Sequence, residues 1–238
     1  MTELSVRDRS GHRELRVALF STRVSDHAHD KGLSRVRILE AGCGRGPGLV
    51  LPERVRRHIT GIDLDTPALR SHTHERDDLD SWHLGDLRNA PLPPRAFDVV
   101  HADELIERIT NAELVLDRMI AALKPGGLLL VRFTDRESAY GLVKRIVPRW
   151  MCGLLGDEIL HAPPAVFEPV ASLDGIRGYC LMRGLVIAEA HATRSVGLSP
   201  LAGLARVVAA LSGGRFTAAH SELSLVIRKP ENRFARIL

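Results

Sequence analysis

Residues 38–48 read ILEAGCGRGPG, an apolar run that breaks into glycine at every second position from Gly42 to Gly48. No other feature restricts the fold of this chain as much. The preceding VRILEA (36–41) suits a buried strand, and glycines at that density let the backbone turn sharply or lie close against another group. Strand followed by glycine loop is the opening of a βαβ unit. The pattern continues downstream, with strand candidates at 58–63, 81–84, 97–102, 128–133, 185–191 and 221–229 and helix signals between them. Alternation of this kind predicts an α/β domain on a largely parallel sheet.

The helix signals carry their own punctuation. Thr66 can cap a helix whose first turn holds Pro67, where a missing N–H costs nothing. In TNAELVLDRMIAALKPGG, Thr110 or Asn111 can cap, Leu116, Met119, Ile120 and Leu123 form an apolar stripe, and Gly126 and Gly127 end the helix. Residues 1–35 read as a helical lead whose apolar part is ELRVALF (14–20), and 36–133 as a continuous α/β core. The proline-punctuated stretch 137–169 reads as an insertion or lid. Residues 170–238 complete the sheet, with a helix at 199–214 before the last strand.

Composition narrows the function classes. Apolar residues make up 45% of the 238 and charged residues 26%, which is material for a sizeable core. No apolar stretch approaches the roughly 20 residues that span a bilayer, and the N-terminus lacks an apolar signal core. A cytoplasmic protein without a membrane partner is expected. Cys43, Cys152 and Cys180 are odd in number and widely spaced, which supports neither a disulfide framework nor a metal site. The net charge is only +4. The basic runs RVRRH (54–58) and RDRSGHRELR (7–16) contain no aromatic residues to stack bases and read as solvated helix faces, so the sequence argues against a nucleic-acid partner.

The loop itself discriminates among ligands. The dinucleotide fingerprint GxGxxG needs its third glycine five positions after the first. From Gly42 that position is Pro47, and from Gly44 it is Leu49. A nicotinamide cofactor is therefore disfavoured. The pattern present is ExGxGxG: Glu40, Gly42, Gly44, Gly46. With GIDLD (61–65), GDLRNAPLPPRAFDVV (85–100) and LKPGGLLLV (123–131) following in order, residues 36–133 resemble the class I S-adenosylmethionine-dependent methyltransferases of the small-molecule type. The resemblance implies a Rossmann-like seven-stranded sheet, mostly parallel with the last strand antiparallel and helices on both faces, and S-adenosylmethionine as cofactor.

It also implies roles. Gly42 and Gly44, with the small Cys43 between them, would let the backbone lie against the ribose and the methionine tail. Asp63, beside Leu64, would accept from the ribose diol. Asp86 would accept from the adenine amino group while Leu87 contacts the ring. Glu40 would hold loop amides or reach the cofactor's ammonium through water, and His101 would touch the cofactor through its backbone. An in-line methyl transfer works mainly by positioning and needs a general base only when the acceptor is poorly ionised. Candidates for one are His101, Asp103 and His161; Arg108 stands where related enzymes often carry His. Tyr140, Trp150 and Phe167 could wall an acceptor pocket. HADELIERI (101–109) lacks the Asn/Asp-Pro-Pro-aromatic run of base and amide methylators. A small-molecule acceptor is expected, with an RNA or protein methyltransferase and a non-catalytic cofactor-binding scaffold as the alternatives. Nothing in the sequence sets the oligomeric state.

Overall fold

The structure is a computed structural model that describes residues 10–44, 48–146, 166–193, 200–213 and 215–231. In chain order the elements are α1 (Ser10–Asp30), β1 (Val36–Ala41), β2 (Arg57–Asp63), α2 (Pro67–His74), β3 (Ser81–Leu84) and β4 (Phe97–Asp103). A 3-10 turn (Ile106–Arg108) follows, then α3 (Ala112–Ala122), β5 (Leu123–Thr134), α4 (Ala139–Ile146), α5 (Leu173–Met182), β6 (Val186–Thr193), α6 (Pro200–Leu211) and β7 (Glu222–Arg228).

Among the described residues the seven strands form one sheet in the order β3-β2-β1-β4-β5-β7-β6. β1 to β5 pair in parallel, and β7 runs antiparallel to both β5 and β6. The expected topology is therefore present. The order reverses at β1, flanked by β2 on one side and β4 on the other. In open α/β sheets ligands bind at such a switch point, outside the carboxyl ends of the strands. The glycine loop leaves β1 at that end.

Two apolar layers sandwich the sheet. On one face α3 and α5 bury Val115, Leu116, Met119, Ile120 and Ile176 against Leu129, Val131 and Phe133 of β5. On the other, Phe20 and Val24 of α1 lie against Ile38, Val99, Leu128 and Leu130. The alternation of β5 side chains between these layers is the period-two pattern of a strand buried on both faces. Among the described residues no helix is long and apolar enough to cross a membrane.

Local punctuation departs from expectation at three points. α2 starts as read, with the Thr66 hydroxyl accepting from Leu69 N and Pro67 in the first turn. α3 does not end at Gly126 and Gly127: it stops at Ala122, and β5 begins at once. Pro125 disfavours helical geometry at Lys124, so the chain is already extended before the glycines. Gly126 then takes a left-handed φ of +77° and donates to Lys229 O. The Arg54–His58 run is a turn and the start of β2, not a helix face.

The third departure is the cap of α3. Asn111 is left-handed and its side chain caps nothing. The carboxylate of Glu168, from the distant segment before α5, accepts from Asn111 N at 2.6 Å and Ala112 N at 2.8 Å. An acid at this place satisfies two orphan donors and suits the positive end of the helix dipole. Glu168→Ala is expected to lower unfolding stability by about 1–2 kcal/mol in chemical denaturation. An unchanged midpoint would show that water replaces the carboxylate at no cost.

Candidate active site

The loop after β1 is built from its backbone outward. Gly42 adopts φ +87°, a conformation that side chains resist, and donates to Ile62 O at 2.8 Å. A Cβ there would meet Leu105 and Asp103 O at ordinary contact distance, so conformation rather than space requires the glycine. Gly44 is glycine for the opposite reason: a Cβ would stand 2.8 Å from Leu69 O of α2 and 3.1 Å from Asp63 Oδ2. Cys43 packs its thiol against Gly61 and near the Thr73 hydroxyl. Burial pushes that thiol up to about 12, which leaves it unreactive at neutral pH.

Two buried acids support this loop. Asp63, at the carboxyl end of β2, accepts from Gly44 N at 2.9 Å and from Leu64 N at 2.7 Å, and it is fully buried. Glu40 and His101 are register partners on β1 and β4. Their side chains meet at 2.9 Å between Oε1 and Nδ1, both almost without exposure. Burial alone would lower the imidazole's pKa, but the Glu40 carboxylate outweighs it and holds the value above normal. The second Glu40 oxygen accepts from Leu49 N, past the glycines. Phe20 of α1 stands edge-on to the imidazole. His101 is thus enclosed, with one ring nitrogen committed to Glu40.

The remaining adenosine-side candidates lie beyond β3. Asp86 is exposed and held in a fork by Arg88, with contacts of 2.7–3.0 Å. Leu87 is buried in the larger apolar cluster, and Leu64 packs against that cluster. Asp63 and Asp86 are therefore brought to one end of the sheet.

Beside the loop, the carboxyl end of β4 is dense in charge. Asp103 pairs with Arg132 across the β4–β5 ladder, and Arg132 also reaches Glu104 and Glu222. Asp103 is thus a partner of a guanidinium. Glu104 sits at φ +47°, and a non-glycine residue held there marks a place where the surroundings over-determine the backbone. Arg108 is buried and donates to Glu104 O. Tyr140 is half-buried under Lys144, and Phe167 is buried. His161, Trp150, Gly46, Pro47 and Cys152 lie outside the described residues.

Two groups here escaped sequence reasoning. Glu107 is fully buried in the 3-10 turn; one carboxyl oxygen accepts from Thr134 N at 3.2 Å and the other has no partner among the described residues. Burial, with Arg108 opposing and Glu104 adding to it, pushes Glu107 up to about 7 from an ordinary 4.5. Because the folded value is the higher one, Glu107 favours the fold fully below about pH 4.5, and this is lost as pH rises through 7. The Glu107→Gln variant is expected to gain up to about 3 kcal/mol relative to wild type between those limits. Parallel pH–stability curves would sink the assignment. The second group is His220, whose Nε2 contacts Asp135 Oδ2 at 2.7 Å. A lone HS before the last strand carries no local signal of a partner 85 residues away.

Comparison with known proteins agrees with this layout. The family described as "Methyltransferase domain" matches residues 10–162. A probable S-adenosylmethionine-dependent methyltransferase of Mycolicibacterium smegmatis is 33% identical over 99 residues, 42% of this chain and 38% of that one. A ubiquinone biosynthesis O-methyltransferase of a Bradyrhizobium species is 31% identical over 110 residues, 44% of this chain and 42% of that one. The matches thus span well under half the length of these two relatives. Among solved structures, a putative sarcosine dimethylglycine methyltransferase from Galdieria sulphuraria superposes with a TM-score of 0.56 at 17% identity, covering 92% of this chain and 88% of that one. The N-methyltransferase NodS from Bradyrhizobium japonicum, in complex with S-adenosyl-L-homocysteine, gives 0.51 at 17% identity over 94% and 90%. At these identities the likeness is one of fold.

Proposed function

This chain belongs to the class I S-adenosylmethionine-dependent methyltransferases, and from that membership we propose that it methylates a small-molecule acceptor. The observation that carries the cofactor site is the pairing of Asp63 with the loop. An acid at the end of β2 reaches back to Gly44 and so places a carboxylate beside the backbone left bare by the glycines. When bound, S-adenosylmethionine supplies a methyl group activated by a sulfonium. The residues present suit it: carboxylates at Asp63 and Asp86 accept from hydroxyl and amino donors, and Leu64 and Leu87 offer apolar contact to a ring. Asp63 accepts one backbone N–H on each oxygen, and a carboxylate oxygen can accept more than one donor.

Gly42, Cys43 and Gly44 bind through main chain, and Cys43 contributes small size. Glu40 acts from below: it fixes His101 and the return of the loop at Leu49. His101 then serves the site as a buried brace between β1 and β4. A small acceptor is supported by the O-methyltransferase and N-methyltransferase named among the similar proteins.

The test uses calorimetry followed by label tracing. S-Adenosylmethionine is expected to bind in the micromolar range and NADH not at all. With a tritiated methyl donor and a cell extract divided into metabolites, RNA and protein, label is expected in the metabolites. Label in RNA or protein would overturn the acceptor class. Cofactor binding without label anywhere would favour a non-catalytic scaffold.

A further inference from the structure

Asp135 follows the last residue of β5, and His220 stands two residues before β7, which runs antiparallel and so begins at the same end of the sheet. Both lie at the end of the sheet where the glycine loop emerges. In the order β1-β4-β5-β7, neighbouring strands about 4.8 Å apart put Asp135 roughly 10 Å, and the start of β7 beside His220 roughly 14 Å, across the sheet from that loop. Glu107, just past β4, holds the amide of Thr134, the residue before Asp135.

The pair is built firmly. Asp135 is buried; its Oδ2 meets His220 Nε2 at 2.7 Å and its Oδ1 accepts from Glu137 N at 2.9 Å. Its own N–H donates to Ser221 O, its carbonyl accepts from Ser138, and Gly141 of α4 packs so closely that a Cβ would stand 2.2 Å from that carbonyl. A carboxylate only accepts, so Nε2 carries a proton in this contact, and in the neutral ring Nδ1 presents a lone pair. Nδ1 bonds to no described residue, and the ring is 14% exposed. A cross-link between the two turns would not need this imidazole, because the Asp135 N–H to Ser221 O bond already joins them.

We propose that His220 is the general base of the transfer, with Asp135 as its positioning residue, and that the acceptor is a hydroxyl still protonated at neutral pH. This rests on the methyltransferase reading. The acceptor proton passes to Nδ1 of His220 while the oxygen's electron pair forms the bond to the methyl carbon. The carbon–sulfur bond breaks with its pair left on sulfur, and the imidazolium later returns the proton to water. A sulfide acceptor would have no proton to give up.

The experiment measures S-adenosylhomocysteine release by the full chain with S-adenosylmethionine and para-substituted phenols, from 4-methoxyphenol to 4-nitrophenol, near pH 8. 4-Nitrophenol is largely ionised there and 4-methoxyphenol is not. His220→Gln is expected to lower kcat/KM about 100-fold or more for 4-methoxyphenol and less than about 10-fold for 4-nitrophenol. Asp135→Asn, which keeps an acceptor for Glu137 N, is expected to show the same acidity-dependent loss, smaller in size. It also carries the test should His220→Gln fail to fold. Calorimetric cofactor affinity is measured for each protein. A wild-type chain that binds no cofactor overturns the methyltransferase reading and the base together. Cofactor binding with transfer to no phenol, or with equal losses along the series, overturns the base alone.

Discussion

Asp63→Ala is expected to abolish detectable S-adenosylmethionine binding in calorimetry and to lower unfolding stability by about 2–5 kcal/mol. The stability loss follows from two backbone donors. Gly44 N and Leu64 N both point at the buried carboxylate, and alanine leaves both without an acceptor where water has little access. Each such orphan costs on the order of 1–3 kcal/mol. On the proposed cofactor assignment affinity suffers twice, because the loop loses its anchor and the ribose its acceptor. Asp63→Asn separates the two contributions: its amide oxygen keeps one of the two N–H groups, while its NH2 meets the other donor to donor. The asparagine variant is expected to fold with an intermediate loss and still bind poorly. Wild-type affinity in Asp63→Ala would remove Asp63 from the cofactor site.

The elements that were legible in the sequence share one property: their signal is local. VRILEA is a strand over its full expected length, because an apolar run between breakers reads as a strand without knowledge of its neighbours. The four ordered motifs marked the family for the same reason. What stayed hidden was made by partners far apart in the chain. Glu168 caps α3 from 57 positions away, so Asn111 looked like the cap. Glu40 and His101 are 61 positions apart and meet only because β1 and β4 lie in register. His220 finds Asp135 across the turn between two strands that are not consecutive. Gly44 is a milder case: its glycine was legible, but the close approach that demands it includes Leu69 and Asp63 of the protein itself.

Glu40→Gln is expected to cost about 3–5 kcal/mol at acid pH, where His101 is charged, and to reverse the local dependence of stability on pH. In the wild type the folded pKa of His101 lies above its ordinary 6.5, raised by Glu40 against burial. The pair's contribution is thus fully present below about pH 6.5 and lost as pH rises through the higher folded value. With glutamine the carboxylate is gone and burial dominates, which moves His101 below its ordinary value despite nearby Asp103, while Arg132 pushes the same way as burial. The buried imidazole then resists protonation, and the variant loses stability as pH falls. Removing one partner of a buried ion pair typically costs about 3–5 kcal/mol because the other charge is stranded. Once pH has passed the raised folded value of His101, the difference should shrink to about 1 kcal/mol, since the amide oxygen of the introduced glutamine can still accept from a neutral ring while Leu49 N loses its acceptor. Subtracting the wild-type curve from that of the variant cancels Glu107, which titrates in both. A difference that stays constant from pH 5 to pH 8, on the order of three units, would mean that His101 is neutral in the native protein and that the brace beneath the glycine loop is an ordinary hydrogen bond.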